Sequence, residues 1–190
     1  MKYTEKNAAA VLGKMLRGVK NEPRESLRYT WIDGAGRQCC CDGFRAYRLY
    51  KPVAGLPDMP VHLKGIDLDR IFPDARDLRE IALPALDDVK AICAADRANK
   101  NEPRRYQFPL GDDLPVVNPL YLRDMMQIFP DVRCYVGAAF SAVLFVSQYG
   151  DGVICPMRTQ NRTPRQIPGK IGAQRFPVYS AAQFAARFAA

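Results

Sequence analysis

An amphipathic helix followed by three strand-length runs is written into this chain twice, once over 4–50 and again over 118–158. In the first copy, Val11, Leu12, Met15, Leu16 and Val19 fall on one face at helical spacing within 4–19. Thr4 is placed to cap that helix with its side-chain oxygen. Asn21-Glu22-Pro23 ends it, because proline disfavours the helical conformation in the residue before it. Leu27, Tyr29 and Trp31 then alternate with polar neighbours, as a half-buried strand does. Asp33-Gly34-Ala35-Gly36 predicts a hairpin turn, Arg37 to Cys41 a returning strand, Asp42-Gly43 a second turn, and Arg45 to Tyr50 a third strand.

The second copy opens with stronger start chemistry, an Asn118 cap and Pro119 at the first helical position. Leu122, Met125, Met126 and Phe129 supply the i, i+3, i+4, i+7 stripe, and Pro130-Asp131 closes the helix. Val132 to Val136, Ala142 to Tyr149 and Val153 to Met157 read as three strands, with Gly150-Asp151-Gly152 as the last turn. The two copies share little identity, so the repeat is one of element order, which mixed α+β domains also show without internal kinship. Between them lie a Pro/Gly-rich linker at 51–60, an extended stretch at 61–70 and an Ile71-Phe72-Pro73-Asp74 loop. A short strand at 80–83 precedes a helix at 84–98 with the apolar stripe Leu86, Val89, Ile92 and Cys93. Short strands are expected at 106–110 and 114–117.

Several function classes find no support in the residues. No run of about 18 apolar residues is present, so a membrane span is not expected. The first residues lack the apolar stretch and cleavage site of a signal peptide. The six cysteines, Cys39, Cys40, Cys41, Cys93, Cys134 and Cys155, form no CxxC pair, and His62 is the one histidine, so neither a structural zinc nor another metal is expected. Consecutive Cys39, Cys40 and Cys41 would alternate faces on a strand. The six are read as reduced thiols of a cytoplasmic protein. No Gly-rich phosphate loop, HExxH or nucleophile–base spacing appears, and Asp67/Asp69 and Asp112-Asp113 read as solvated loop charges, so neither catalysis nor a cofactor is expected.

The net charge of +8 leaves two readings open, attraction to nucleic acid or a solvated basic surface. Lys14, Arg17 and Lys20 lie on or just past the first helix, Lys90 and Arg97 on the second, and Arg123 on the third. Asp87, Asp88 and Asp124 share those elements. From Thr159 onward the charges are all positive, Arg162, Arg165, Lys170, Arg175 and Arg187. Ser180 is placed to cap a short Ala-rich helix with Phe184 and Phe188 at i, i+4.

Four segments carry a family resemblance. Cys41-Asp42-Gly43-Phe44-Arg45-Ala46 is similar to the Thr-Asp-Gly-His-Arg-Leu stretch of bacterial DNA polymerase III β sliding clamps, matching at Asp42, Gly43 and Arg45. Val153-Ile154-Cys155-Pro156-Met157-Arg158 resembles their last strand, Val-Met-Pro-Met-Arg, at Pro156, Met157 and Arg158. Asn118-Pro119-Leu120-Tyr121-Leu122 resembles the Asn-x-x-Tyr-Leu helix start, and Phe72-Pro73-Asp74 the Phe-Pro-Asp between clamp domains. The family ends near its Met-Pro-Met-Arg, whereas a tail follows here.

The resemblance implies an α+β, DNA-clamp-like fold of repeated βαβββ units with helices on one face of antiparallel sheets. It divides the chain into a clamp-like unit at 1–55, further clamp-like units with the central helix at 56–158, and a basic tail at 159–190. It implies a non-catalytic protein of DNA metabolism; the leading expectation adds that such a protein is encoded on a mobile element. Its expected partners are duplex DNA and a peptide from a polymerase or another clamp partner, and it is expected to form a homo-oligomer. The peptide groove would be built from Cys41, Gly43, Phe44, Arg45, Val153, Ile154, Pro156 and Met157. DNA would meet Lys14, Arg17, Lys20, Lys90, Arg97, Arg123, Arg162 and Arg165. The plainer alternative is a protein-interaction module of the same fold without DNA binding, in which Asp42-Gly43 is only a hairpin turn and Pro156-Met157 ends an edge strand.

Overall fold

The computed structural model describes residues 2–101 and 105–159. Its elements run α1 Glu5–Gly18, β1 Trp31–Ile32, β2 Gln38–Cys41, β3 Arg45–Leu49, β4 Arg79–Ile81, α2 Leu86–Ala98, β5 Phe108–Pro109, β6 Val116–Val117, α3 Pro119–Ile128, β7 Arg133–Val136, β8 Val143–Ser147 and β9 Gly150–Ile154. Seven strands form one antiparallel sheet in the order β1-β2-β3-β9-β8-β7-β4, and β5 with β6 forms a separate ribbon. The protein is therefore mixed α+β with a large antiparallel sheet. The order helix, strand, strand, strand occurs in 5–49 and in 119–154, and the last strands of the two stretches, β3 and β9, are neighbours at the middle of the sheet.

Local chemistry explains the helices. Thr4 Oγ1 shares the Asn7 N–H (3.2 Å) with the Thr4 carbonyl (3.1 Å), and Asn118 Oδ1 accepts the Leu120 N–H (2.9 Å), so a side-chain oxygen caps the first turn of each helix. Leu12, Met15 and Leu16 of α1, Val89 and Ile92 of α2, and Leu122 and Met125 of α3 enter one apolar core with Tyr47, Phe145 and Ile154 of the sheet. On the opposite side of the sheet Leu27, Cys39, Cys41, Ala46, Leu68 and Val153 form a smaller core under the segments around 27 and 66–72. Cys40 belongs to the first core and Cys39 and Cys41 to the second, the alternation expected of strand pleating. All six cysteines are free thiols, five buried and Cys155 exposed, and burial pushes Cys39 up to about 12 and Cys41 up to about 11.

Three expectations need correction. The alternating run at 27–31 is mostly a 3-10 turn, Glu25–Arg28, and only Trp31 and Ile32 pair with β2. Leu27 leaves the strand path to fill the smaller core, and an Arg28 guanidinium N–H donates to the Glu22 carbonyl (2.7 Å). The 61–70 stretch is not extended throughout. It turns at 61–63 and forms a 3-10 helix at Leu68–Arg70, drawn to the sheet by the Arg48–Asp69 ion pair (2.7 Å) and by Arg48 stacked 3.7 Å from the Phe72 ring centre. Gly150-Asp151-Gly152 is not a turn but the first part of β9, and Gln148-Tyr149 makes the hairpin. Among the described residues no helix is long and apolar enough to cross a membrane.

Candidate binding cleft

The Asp42–Arg45 turn is held from within. Gly43 adopts a φ of 89°, a region costly for residues with a Cβ. Asp42 Oδ1 accepts the backbone N–H groups of Phe44 and Arg45 (both 2.9 Å), while its Oδ2 accepts Arg45 Nε–H (2.9 Å). The Arg45 side chain, on the helix-facing side of β3, continues to Asp124 of α3, donating to Oδ2 at 2.7 Å. Arg123 Nε–H donates to Asp124 Oδ1 at 2.9 Å. Burial works against the Arg45 charge, but Tyr47, Asp42 and Asp124 outweigh it, so the guanidinium holds its proton more firmly than a free arginine. Beneath this network the Tyr47 hydroxyl is buried with no hydrogen-bond partner among the described residues, and burial raises its pKa well above the ordinary phenol value.

Above the network the surface is aromatic and basic. Phe44 is 60% exposed and stacks on Tyr121 with ring centres 6.4 Å apart and planes 27° apart. The Arg45 guanidinium sits 4.4 Å from the Tyr121 ring centre on a cation–π contact. A cleft of about 560 Å³ opens beside them, with Lys14, Phe44, Arg97, Tyr121 and Arg123 among its lining and Asp42, Arg45 and Asp124 in its wall. Lys14, Arg17, Lys20 and Arg97 are exposed and carry no ion pair among the described residues, whereas Lys90 is paired with Asp87 (2.9 Å) and Arg123 with Asp124.

The structure brings the segments at 41–46 and 153–158 together. Arg45 pairs with Ile154 and Ala46 with Val153, and the Cys155 N–H donates to the Phe44 carbonyl (2.8 Å), extending the ladder past β9. Val153 and Ile154 are buried on opposite faces of the sheet, 1% and 0% exposed, and Cys41 is buried as well. Phe44, Cys155, Pro156 and Met157 reach the surface there, Pro156 and Met157 half-buried, before the Met157 N–H donates to the Val116 carbonyl (2.7 Å). Of the basic residues, Lys14, Arg97 and Arg123 meet at the cleft, Arg17 lies further along α1 and Lys20 just past its end, and Lys90 lies away from it on α2. Arg162, Arg165 and the tail helix fall outside the described residues. Sequence reasoning missed Asp124 as the partner of Arg45. The available signal was a charged residue in phase with Tyr47 and Leu49 on the inward face of a central strand. Among the described residues no group of three or more His, Cys, Asp or Glu is placed to hold a metal ion. No protein-family model matches the chain, and no curated protein matches it.

Proposed function

We propose that the chain is a non-catalytic, sliding-clamp-like protein of DNA metabolism that holds a short peptide of a replication partner where the Asp42–Arg45 turn meets the strand end at 155–157. The observation that carries this reading is the Cys155 N–H to Phe44 carbonyl bond, 2.8 Å long. It joins two segments that are distant in sequence, each similar to a clamp motif, into one surface with Phe44, Pro156 and Met157 exposed or half-exposed on it. An aromatic ring beside a flexible methionine suits an apolar peptide side chain. The twofold occurrence of helix-strand-strand-strand, with β3 beside β9 and α1 packed on α3, fits paired clamp-like units. Assembly into a homo-oligomer, a cytoplasmic location and a mobile-element origin belong to the same proposal.

Duplex DNA is the second partner in this reading, met through phosphates by Lys14 and Arg17 of α1 and Lys20 just past it, none of them ion-paired among the described residues. Absence of duplex binding even at low salt would favour the alternative, a protein-interaction module without a DNA role. The peptide claim is tested by titrating the full chain with a fluorescent apolar clamp-binding peptide. Met157→Ala is expected to weaken binding by about ten-fold, the scale of losing a buried interface anchor. Equal affinity in the variant would count against the groove. Gly43→Arg is a poorer probe, because the left-handed backbone at Gly43 makes any side chain there cost about 1–2 kcal/mol of stability.

A further inference from the structure

We propose that the cleft between α1, α3 and the Asp42–Arg45 turn takes single-stranded nucleic acid, with a base stacked on Phe44 and phosphates on Lys14 and Arg97. The inference rests on the reading of the chain as a binding protein of DNA metabolism, but its cleft is lined by α1, α3 and Arg97 and not by residues 155–157. The charges inside the cleft divide into two groups. Asp42, Arg45, Asp124 and Arg123 compensate one another, and Glu22 is paired with Arg24 (2.8 Å). Lys14 and Arg97 are left without carboxylate partners among the described residues, so the unspent charge is positive and suited to a phosphate backbone.

The remaining polar groups argue against a peptide in this cleft. The N–H groups of Leu120, Tyr121 and Leu122 are all taken by Asn118, those of Phe44 and Arg45 by Asp42, and the Phe44 carbonyl by Cys155. A peptide backbone would find none of these amides free to donate to it. A nucleotide needs none. It requires an aromatic face and cations, and the Phe44–Tyr121 pair presents such a face, kept rigid by Arg45 packed against Tyr121. Stacking of this kind takes an unpaired base, because duplex bases hide their faces in the helix. A cleft of about 560 Å³ lies within the range of small-ligand sites.

The test is fluorescence anisotropy of the full chain with a labelled oligothymidylate of roughly 10 nucleotides, within the range one binding module covers. A hairpin duplex and a glutamate-rich peptide are titrated in parallel. The oligothymidylate is expected to bind more tightly than either. Phe44→Ala is expected to weaken it about ten-fold, which corresponds to the stacking of one base. Because Phe44 is mostly exposed, that variant keeps its core, and an unchanged thermal melt verifies this. Lys14→Glu combined with Arg97→Glu is expected to lower the slope of log K against log salt by about 1.4, two single-strand phosphate contacts. The inference is overturned if no oligonucleotide binds at low salt, if the duplex or the acidic peptide binds as tightly as the oligothymidylate, or if Phe44→Ala binds as the parent does. Apolar-peptide binding without oligonucleotide binding would leave the peptide reading standing, and oligonucleotide binding without peptide binding would remove that reading alone.

Discussion

Arg45→Met is expected to lower the unfolding free energy by about 3–5 kcal/mol, the scale of breaking a buried ion pair by removing one partner. The size follows from what is left behind. Asp42 and Asp124 are about a tenth exposed and share the same guanidinium, which lies 2.9 Å from one and 2.7 Å from the other. Methionine fills much of the volume but leaves two neighbouring carboxylates without their common cation. The loss also releases the turn, because Asp42 braces the Phe44 and Arg45 amides with the carboxylate that Arg45 holds in place. Chemical denaturation of parent and variant measures it, and a loss below about 1 kcal/mol would show the pair to be the weak kind found on surfaces.

Gly150→Ala is expected to destabilise the fold by about 3 kcal/mol, the upper end of overpacking costs. A Cβ at Gly150 would stand 2.3 Å from the Arg48 carbonyl oxygen and 3.1 Å from the Leu49 Cα, both backbone atoms of the central strand β3. These are backbone atoms, so relief requires opening the Leu49–Gly150 pairing at the end of the β3–β9 ladder. Gly152 differs in kind, since its added Cβ would meet the Met125 thioether, 2.3 Å away at the sulfur, and an unbranched side chain can move aside. Gly152→Ala is therefore expected to cost less than Gly150→Ala, and the reverse ranking in thermal melts would contradict this seating of α3 on β9.

That glycine pair also shows where the sequence misleads. Glycine is read as turn chemistry because its freedom is a local property, whereas Gly150 and Gly152 answer to Arg48 and Met125, which only the folded chain brings close. The helices α1 and α3 were legible because Thr4 and Asn118 act within three residues of themselves and the apolar stripes repeat at helical spacing. The Asp42-Gly43 turn was legible for the same reason. The partner of Arg45 was not, since Asp124 lies 79 residues away. Val153 and Ile154, expected on a groove wall, are successive residues of a central strand covered on both faces, and pleating buries one in each core. What remains for a ligand is the rim: Phe44, Cys155, Pro156 and Met157.

Whether that rim is a peptide site is measured most directly by titrating the isotope-labelled full chain with an apolar clamp-binding peptide and following its backbone amide resonances. Saturable shifts concentrated at Phe44, Cys155 and Met157 are the predicted result. Saturable shifts confined to other elements, or none at millimolar peptide, would contradict it.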